Sequence, residues 1–372
     1  MGLIDYYRQF DDIDEEEVNR ELRARRARER ALALAQVPPL DLSGTEWPDL
    51  PSSEVMNAAI YTARGRINGY PDRHATTVRR ALAERHGVLP EQVVVGNGAA
   101  ELLQSATYLL LGPDREAVTP WPSHPIFPIL ASRAGGKPVP VELTDHRADL
   151  AAISAAVNER TGLVFLCNPN DPTSTYVRAE EIGGLAARLP EHTWLVVDEA
   201  YVDFQDADEP DAVIRLTEAF PRLVVLRTFS KAYGLSGLRG GYAVGAPSAS
   251  DFLEAIAPAF GVNALTQSAL AYALDTGDAE IARRREAVIH QRARLMRELA
   301  PRHVVAAPSQ TNFLWLHAPG HTGSALAASL EKAGVFVAPG GPLGAEEHVR
   351  VAVRSEAATN RFLSALENAL NS

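Results

Sequence analysis

The sequence predicts an α/β protein: a large, mostly parallel sheet covered by helices on both faces, followed by a smaller α+β domain. Three observations carry this expectation. Short, unbroken apolar runs recur between residues 92 and 226, helical patterns separate most of them, and neither an internal repeat nor a low-complexity block interrupts the alternation. Strands of a parallel sheet are buried on both faces, so they read as continuous apolar runs rather than as every second residue.

Taken in order, residues 14–36 mix acids and arginines with few apolar positions, and residues 1–36 are expected to form an N-terminal arm or solvated helix. The turn-rich stretch 42–51 follows. The large domain is expected over 48–265, with strands at 92–95, 117–119, 162–167, 194–197 and 223–226. From about Thr266 a long helical stretch rich in arginine and alanine leads to strand-like runs at 311–316 and 348–353. Residues 266–372, joined by 37–47, are therefore assigned to the smaller domain.

The bulk properties narrow the function. A content of 46% hydrophobic and 22% charged residues is ordinary for a globular chain, and a net charge of −11 argues against nucleic acid as a partner. Cys167, the single cysteine, excludes an intrachain disulfide and a multi-cysteine metal site, and reads as a small buried hydrophobe. The first dozen residues lack the order of a signal peptide, and no stretch is long and uncharged enough to span a membrane, so the cytoplasm is the expected location.

Chemistry gathers where the predicted strands end. Asn168 follows the run 163–166 in a proline-dictated turn, Asp198 follows 195–197 directly, and Lys231 follows 223–226 through Thr228 and Ser230. In an open α/β sheet this is the ligand-binding edge. Three of the 36 basic residues are lysines. Lys137 lies in a Gly-Gly-Lys-Pro turn, and Lys332 precedes Ala333-Gly334 at an expected helix end, where a cation is favourable in any case. Lys231 has no such structural explanation and precedes a glycine-rich segment, 234–241, where backbone can approach a ligand closely.

Asn168-Pro-Asn-Asp-Pro-Thr173, Asp198-Glu-Ala-Tyr201 and Ser230-Lys-Ala-Tyr-Gly-Leu-Ser-Gly-Leu-Arg239 resemble, in order and spacing, the signatures of fold-type I, class I/II aminotransferases that depend on pyridoxal 5′-phosphate (PLP). Gly69-Tyr-Pro-Asp72, Gly96-Asn-Gly-Ala-Ala-Glu101, Gly261-Val-Asn-Ala-Leu-Thr-Gln267 and Val349-Arg350-Val351 bring the likeness nearest to histidinol-phosphate aminotransferases, from about residue 40 to the end. The resemblance implies that Lys231 forms the Schiff base with PLP, that Asp198 pairs with the pyridine nitrogen, and that Asn168 and Tyr201 hydrogen-bond the ring's phenolic oxygen. It places the cofactor phosphate on Ser230, Arg239, Thr228 and the N–H groups of Ala99 and Ala100, with Tyr70 reaching it from the second subunit of a homodimer. Arg350 is the implied clamp for a substrate carboxylate. The partners are then an amino donor, such as histidinol phosphate or an aromatic amino acid, and a 2-oxo acid acceptor such as 2-oxoglutarate, exchanged in ping-pong fashion.

Three departures qualify the resemblance. The family's Asn-Pro-Asn-Asn-Pro-Thr-Gly has Asp171 at its fourth position and Ser174 at its seventh; the ring-stacking aromatic is replaced by His124, with Phe127 the candidate if the register shifts; and Ala100 stands where an acid is common. A stacking histidine also fits related decarboxylases, such as those acting on threonine phosphate, so a PLP-dependent decarboxylase is the second reading. A nucleotide-binding dehydrogenase is the third, from Gly96-Asn-Gly98 after an apolar run, but Glu101 occupies the place of its third glycine.

Overall fold

The computed structural model describes residues 38–371 together with Ala24, Arg25 and Arg28; the rest of the expected N-terminal arm lies outside the described residues. The strands are β1 (Leu40–Asp41), β2 (Val93–Gly96), β3 (Glu116–Trp121), β4 (Lys137–Glu142), β5 (Thr161–Cys167), β6 (Trp194–Asp198), β7 (Leu223–Thr228), β8 (Gly241–Gly245), β9 (Val305–Ala306), β10 (Phe313–His317), β11 (Val335–Phe336), β12 (Ala338–Pro339) and β13 (His348–Ala352).

Seven of them form one sheet in the order β2-β8-β7-β6-β5-β3-β4. Strands β7, β6, β5, β3 and β4 are mutually parallel, and β8 runs against both β2 and β7. The alternation of side chains gives this sheet two cores. Val164, Leu166, Leu195, Val197 and Val225 point to one face, while Leu163, Phe165, Val196, Val224 and Leu226 point to the other. All ten are essentially inaccessible, each Val or Leu contributing about 1.5–3 kcal/mol of transfer free energy. That double burial is why the sequence shows unbroken apolar runs here.

Two strands of this sheet escaped the sequence reading for physical reasons. Strand β4 is the sheet edge, carries Pro138 and Pro140, and has a half-exposed pattern, so it lacks the apolar run of a central strand. Lys137, read as a turn residue, opens this strand. Strand β8 begins in the glycine-rich segment, and Gly241 is required there because a Cβ would collide with the backbone nitrogen of Ala99.

A second sheet, β12-β13-β10-β9, is antiparallel. Its core joins Leu314, Leu316, Val349 and Val351 with Phe362 and Leu366 of the Glu356–Leu370 helix and Leu295 and Leu299 of the Asp278–Leu299 helix. The Ala264–Thr276 helix, by contrast, packs through Leu270 and Leu274 into a core of the large sheet. Its start is set by Asn263, whose side chain accepts from the Thr266 N–H at 2.9 Å. Residues 40–47 cross toward the small sheet and are pinned to it: Ala352 N–H donates to Leu42 O at 2.8 Å and Asn312 Nδ2 to Thr45 O at 2.8 Å. Among the described residues no helix is long and apolar enough to cross a membrane.

Candidate active site

Because β2, β3, β5, β6 and β7 run in one direction, the segments that follow them emerge on one edge of the large sheet, and β10 and β13 of the small sheet complete the site. Lys231 Nζ donates to Thr45 Oγ1 at 2.5 Å and lies 4.9 Å from the centre of the Tyr201 ring. Thr45 Oγ1 is 3.0 Å from Tyr201 Oη. Tyr201 in turn donates to Asp171 Oδ2 at 2.8 Å, and Arg350 Nη1 donates to Asp171 Oδ1 at 2.7 Å. A phenol has one proton, and here it goes to Asp171, so Thr45 is the donor to Tyr201. A continuous line of hydrogen bonds thus runs from Lys231 to Arg350.

The electrostatics follow from burial. Desolvation lowers the Lys231 pKa from the ordinary lysine value, with the charge of Asp171 acting against it. Burial raises the pKa of Asp198, while His124 and Lys231 pull it down. Asp198 Oδ1 accepts from Ala200 N–H at 3.0 Å, and among the described residues no cation pairs with this carboxylate. Burial also works to raise Asp171, but Arg350, His124, Lys231 and the Tyr201 hydrogen bond outweigh it and hold the pKa below the usual aspartate value. Tyr201 is pushed well above the normal tyrosine range by burial and then by Asp171.

An anion cradle lies alongside. The Ala99–Leu110 helix starts after Gly98 (φ 84°) with no side-chain cap, leaving the N–H groups of Ala99 and Ala100 without intrahelical acceptors. Arg239 adopts a left-handed φ of 57°, costly for a residue with a Cβ, and its guanidinium lies so close that a Cβ on Gly98 would sit 2.5 Å from Nη2. Arg239 Nη1 is 3.4 Å from Ser230 Oγ, which accepts from Thr228 Oγ1 at 2.9 Å.

Other expected site residues fall differently. Asn168 does not join the line from Lys231 to Arg350: its Nδ2 donates to Val177 O at 2.8 Å and its Oδ1 accepts from Val177 N–H at 2.8 Å. The turn after β5 spends its first asparagine on its own closure and presents Asp171, three residues on, to Tyr201. Phe127 is fully buried and stacked on Phe165 at 4.7 Å in the core, which removes it as the ring-stacking candidate. His124 is half-buried, and its charge is felt by both Asp171 and Asp198. Tyr70 is 86% exposed, with Phe260 5.4 Å away and none of the site residues in ring contact with it. Thr45 was missed altogether: a lone threonine in a turn-rich stretch carries no signal. Asp171 was visible as a departure from the signature, but its role as the partner of Arg350 was not.

Ser174 is the loop's other departure. It sits at φ 62° with a buried hydroxyl that has no partner among the described residues. Relief of left-handed strain and loss of the unsatisfied hydroxyl should exceed the added freedom of the unfolded chain, so Ser174→Gly is expected to stabilise by about 1 kcal/mol. A thermal midpoint unchanged or lower than wild type would refute this.

A lysine, an unpaired buried carboxylate and an anion cradle on one sheet edge are set beside a family match: a model described as aminotransferase class I and II covers residues 37–366. The chain belongs to the class I and II aminotransferases. This aminotransferase is 38% identical over 330 residues to an aromatic amino acid aminotransferase of Cutibacterium acnes, spanning 88% of this chain and 92% of the relative. It is 40% identical over 322 residues to one from Corynebacterium jeikeium, spanning 85% and 84%. The crystal structure of histidinol-phosphate aminotransferase from Sinorhizobium meliloti in complex with PLP superposes with a TM-score of 0.81 at 28% identity, covering 93% of this chain and 94% of that one. The aminotransferase is therefore a fold-type I, PLP-dependent transaminase acting on amino and keto acids, and these likenesses favour transamination over decarboxylation. The dehydrogenase reading fails on topology as well. Strand β2, which precedes Gly96-Asn-Gly98, is a sheet edge paired antiparallel to β8, not the first strand of a parallel βαβ unit.

The residues present fit PLP. The cradle of Ser230, Arg239 and the Ala99 and Ala100 N–H groups suits a phosphate, kept open by Gly98 and Gly241. Asp198, buried and in no salt bridge among the described residues, suits a protonated ring nitrogen, whose charge would oppose the burial that raises its pKa.

Proposed function

We propose that this transaminase moves an amino group between an aromatic amino acid, or an amino-acid-like phosphate such as histidinol phosphate, and a 2-oxo acid such as 2-oxoglutarate. The hydrogen-bonded line from Lys231 to Arg350 carries the reading, because it spans the distance between a base and a cation that can hold a substrate. The aromatic donor is favoured by the names of the relatives at 38–40% identity, and the phosphate-bearing one by the solved structure.

When bound, PLP supplies an electrophilic carbon and an electron-withdrawing ring. The chain's own groups do the rest. Lys231 Nζ, its pKa lowered by burial, takes the proton from the donor's Cα as a free amine and later returns it. Asp198 holds the ring nitrogen's proton. Thr228, Ser230, Arg239 and the N–H groups of Ala99 and Ala100 fix the phosphate. Tyr201 positions the phenolic side of the ring, the part the signature gives to it and Asn168, while Asn168 is held by Val177. His124 covers the ring face, and Arg350 holds the substrate's α-carboxylate.

The active unit we propose is a homodimer in the cytoplasm. Tyr61, Ile67 and Tyr70 are 82%, 72% and 86% exposed around the Ser53–Arg66 helix, an apolar surface that a second copy would cover while bringing Tyr70 to the partner's phosphate cradle. The smaller domain is proposed to comprise residues 37–47 and those after Gly277, since the preceding helix packs with the large sheet.

The test is a spectral titration of the purified holoprotein with phenylalanine, tyrosine, histidinol phosphate and aspartate, reading loss of the lysine-bound cofactor band and formation of pyridoxamine phosphate. Conversion by the aromatic donors or histidinol phosphate at submillimolar concentration is the expected result. Carbon dioxide release without a keto product would reject transamination.

A further inference from the structure

The fourth position of the 168–174 loop is asparagine in the family's signature and Asp171 here. Asparagine would carry no charge. Asp171 is 4% exposed, and both its oxygens are committed, one to Arg350 Nη1 at 2.7 Å and one to Tyr201 at 2.8 Å. The guanidinium is itself largely enclosed. Its Nη2 donates to Ser43 O at 3.2 Å, it packs 5.4 Å from the centre of the Phe313 ring, and Nε is buried without a partner among the described residues. Arg350 therefore keeps Nε to offer a ligand but not an uncompensated positive charge. A ligand carboxylate forked on Nη1 and Nη2 would have to displace Asp171 from Nη1, and one forked on Nε and Nη2 would meet a guanidinium whose charge Asp171 already balances, with a second carboxylate close by.

We propose that Asp171 is a specificity-determining residue: by holding Arg350 in a buried, neutral ion pair it weakens the grip on an ionised α-carboxylate and shifts selectivity toward ligands uncharged at that position. This deepens the function proposed above and rests on Arg350 being the ligand clamp.

The experiment compares the binding of 3-phenylpropionate and 3-phenylpropionamide, which differ in charge and cannot donate an amino group. Dissociation constants are measured by calorimetry on the holoenzyme and on its Asp171→Asn, Asp171→Ser and Arg350→Gln variants. Asp171→Asn is expected to bind the propionate roughly tenfold more tightly and the amide within about twofold of wild type. Asp171→Ser removes the charge without adding an amide and should shift in the same direction, which keeps the test available should one variant fold poorly. Propionate affinity that stays constant or falls in the Asp171 variants, or an equal gain for the amide, overturns the proposal while Arg350→Gln still weakens the propionate. Equal propionate affinity in wild type and Arg350→Gln overturns the clamp itself, and the proposal with it.

Discussion

Replacement of Lys231 by alanine is expected to slow amino transfer by about 10⁴-fold, the upper end of what removing a positioned general base costs. The expectation rests on placement. Lys231 Nζ is enclosed at the sheet edge, tied to Thr45, and its pKa is lowered by burial, so more of it is a free amine near neutrality than of an exposed lysine. Its two rivals cannot substitute: the Lys137 side chain is 72% exposed on the edge strand, and Lys332 lies in the last turn of the Gly323–Lys332 helix. Single-turnover conversion of the PLP form with the best donor from the spectral panel is the measurement. A variant retaining more than about one-hundredth of the wild-type rate would remove Lys231 from the role of base.

The second large effect concerns stability. Arg227, near the end of β7, is buried and holds Glu199 through Nε at 2.9 Å and Nη2 at 2.8 Å, and Asp211 through Nη1 at 2.7 Å. Burial raises Glu199 to about 7 despite this pairing, which marks how costly its charge is in that setting. Arg227→Ala strands Glu199 without its cation and leaves half-buried Asp211 with His86 alone, 2.9 Å from its Oδ2, and is expected to cost about 3–5 kcal/mol, read from the midpoint of urea unfolding. Arg227→Met with Glu199→Met should recover most of that loss, since an apolar pair of similar volume needs no compensating charge. A single variant within about 1 kcal/mol of wild type would show that water or rearrangement satisfies Glu199. For Glu199 the folded pKa lies above the ordinary 4.5, so the stability it contributes is fully present below 4.5 and is lost as pH rises through about 7.

Much of this was legible in the chain itself. The apolar runs ending at Cys167, Val197 and Leu226 are strands because a sheet covered on both faces demands continuous burial, and Asp198 and Lys231 follow at their carboxyl ends because the chain must leave the sheet there. Scarcity singled out Lys231 among three lysines, and the signatures gave Ser230 and Arg239 a shared task that their 3.4 Å separation fits.

What the sequence could not decide is which neighbours meet. Thr45 reaches Lys231 across 186 positions, and Arg350 reaches Asp171 across 179, through packing between the crossing segment, the small sheet and the large one. Those encounters depend on tertiary geometry and leave no local periodicity to read. The same limit explains Asn168: spacing alone does not say which asparagine of a turn closes the backbone and which position faces the site, because that is set by the path of the chain through Pro169 and Pro172 to the Val177 hydrogen bonds. Sequence by itself determined the fold class and the placement of Lys231 and Asp198 where strands of the large sheet end, since the apolar runs that precede them can be read locally. Only the tertiary structure decided that Arg350 meets a carboxylate of its own chain, since the charge balance of a pocket belongs to the groups that folding brings together.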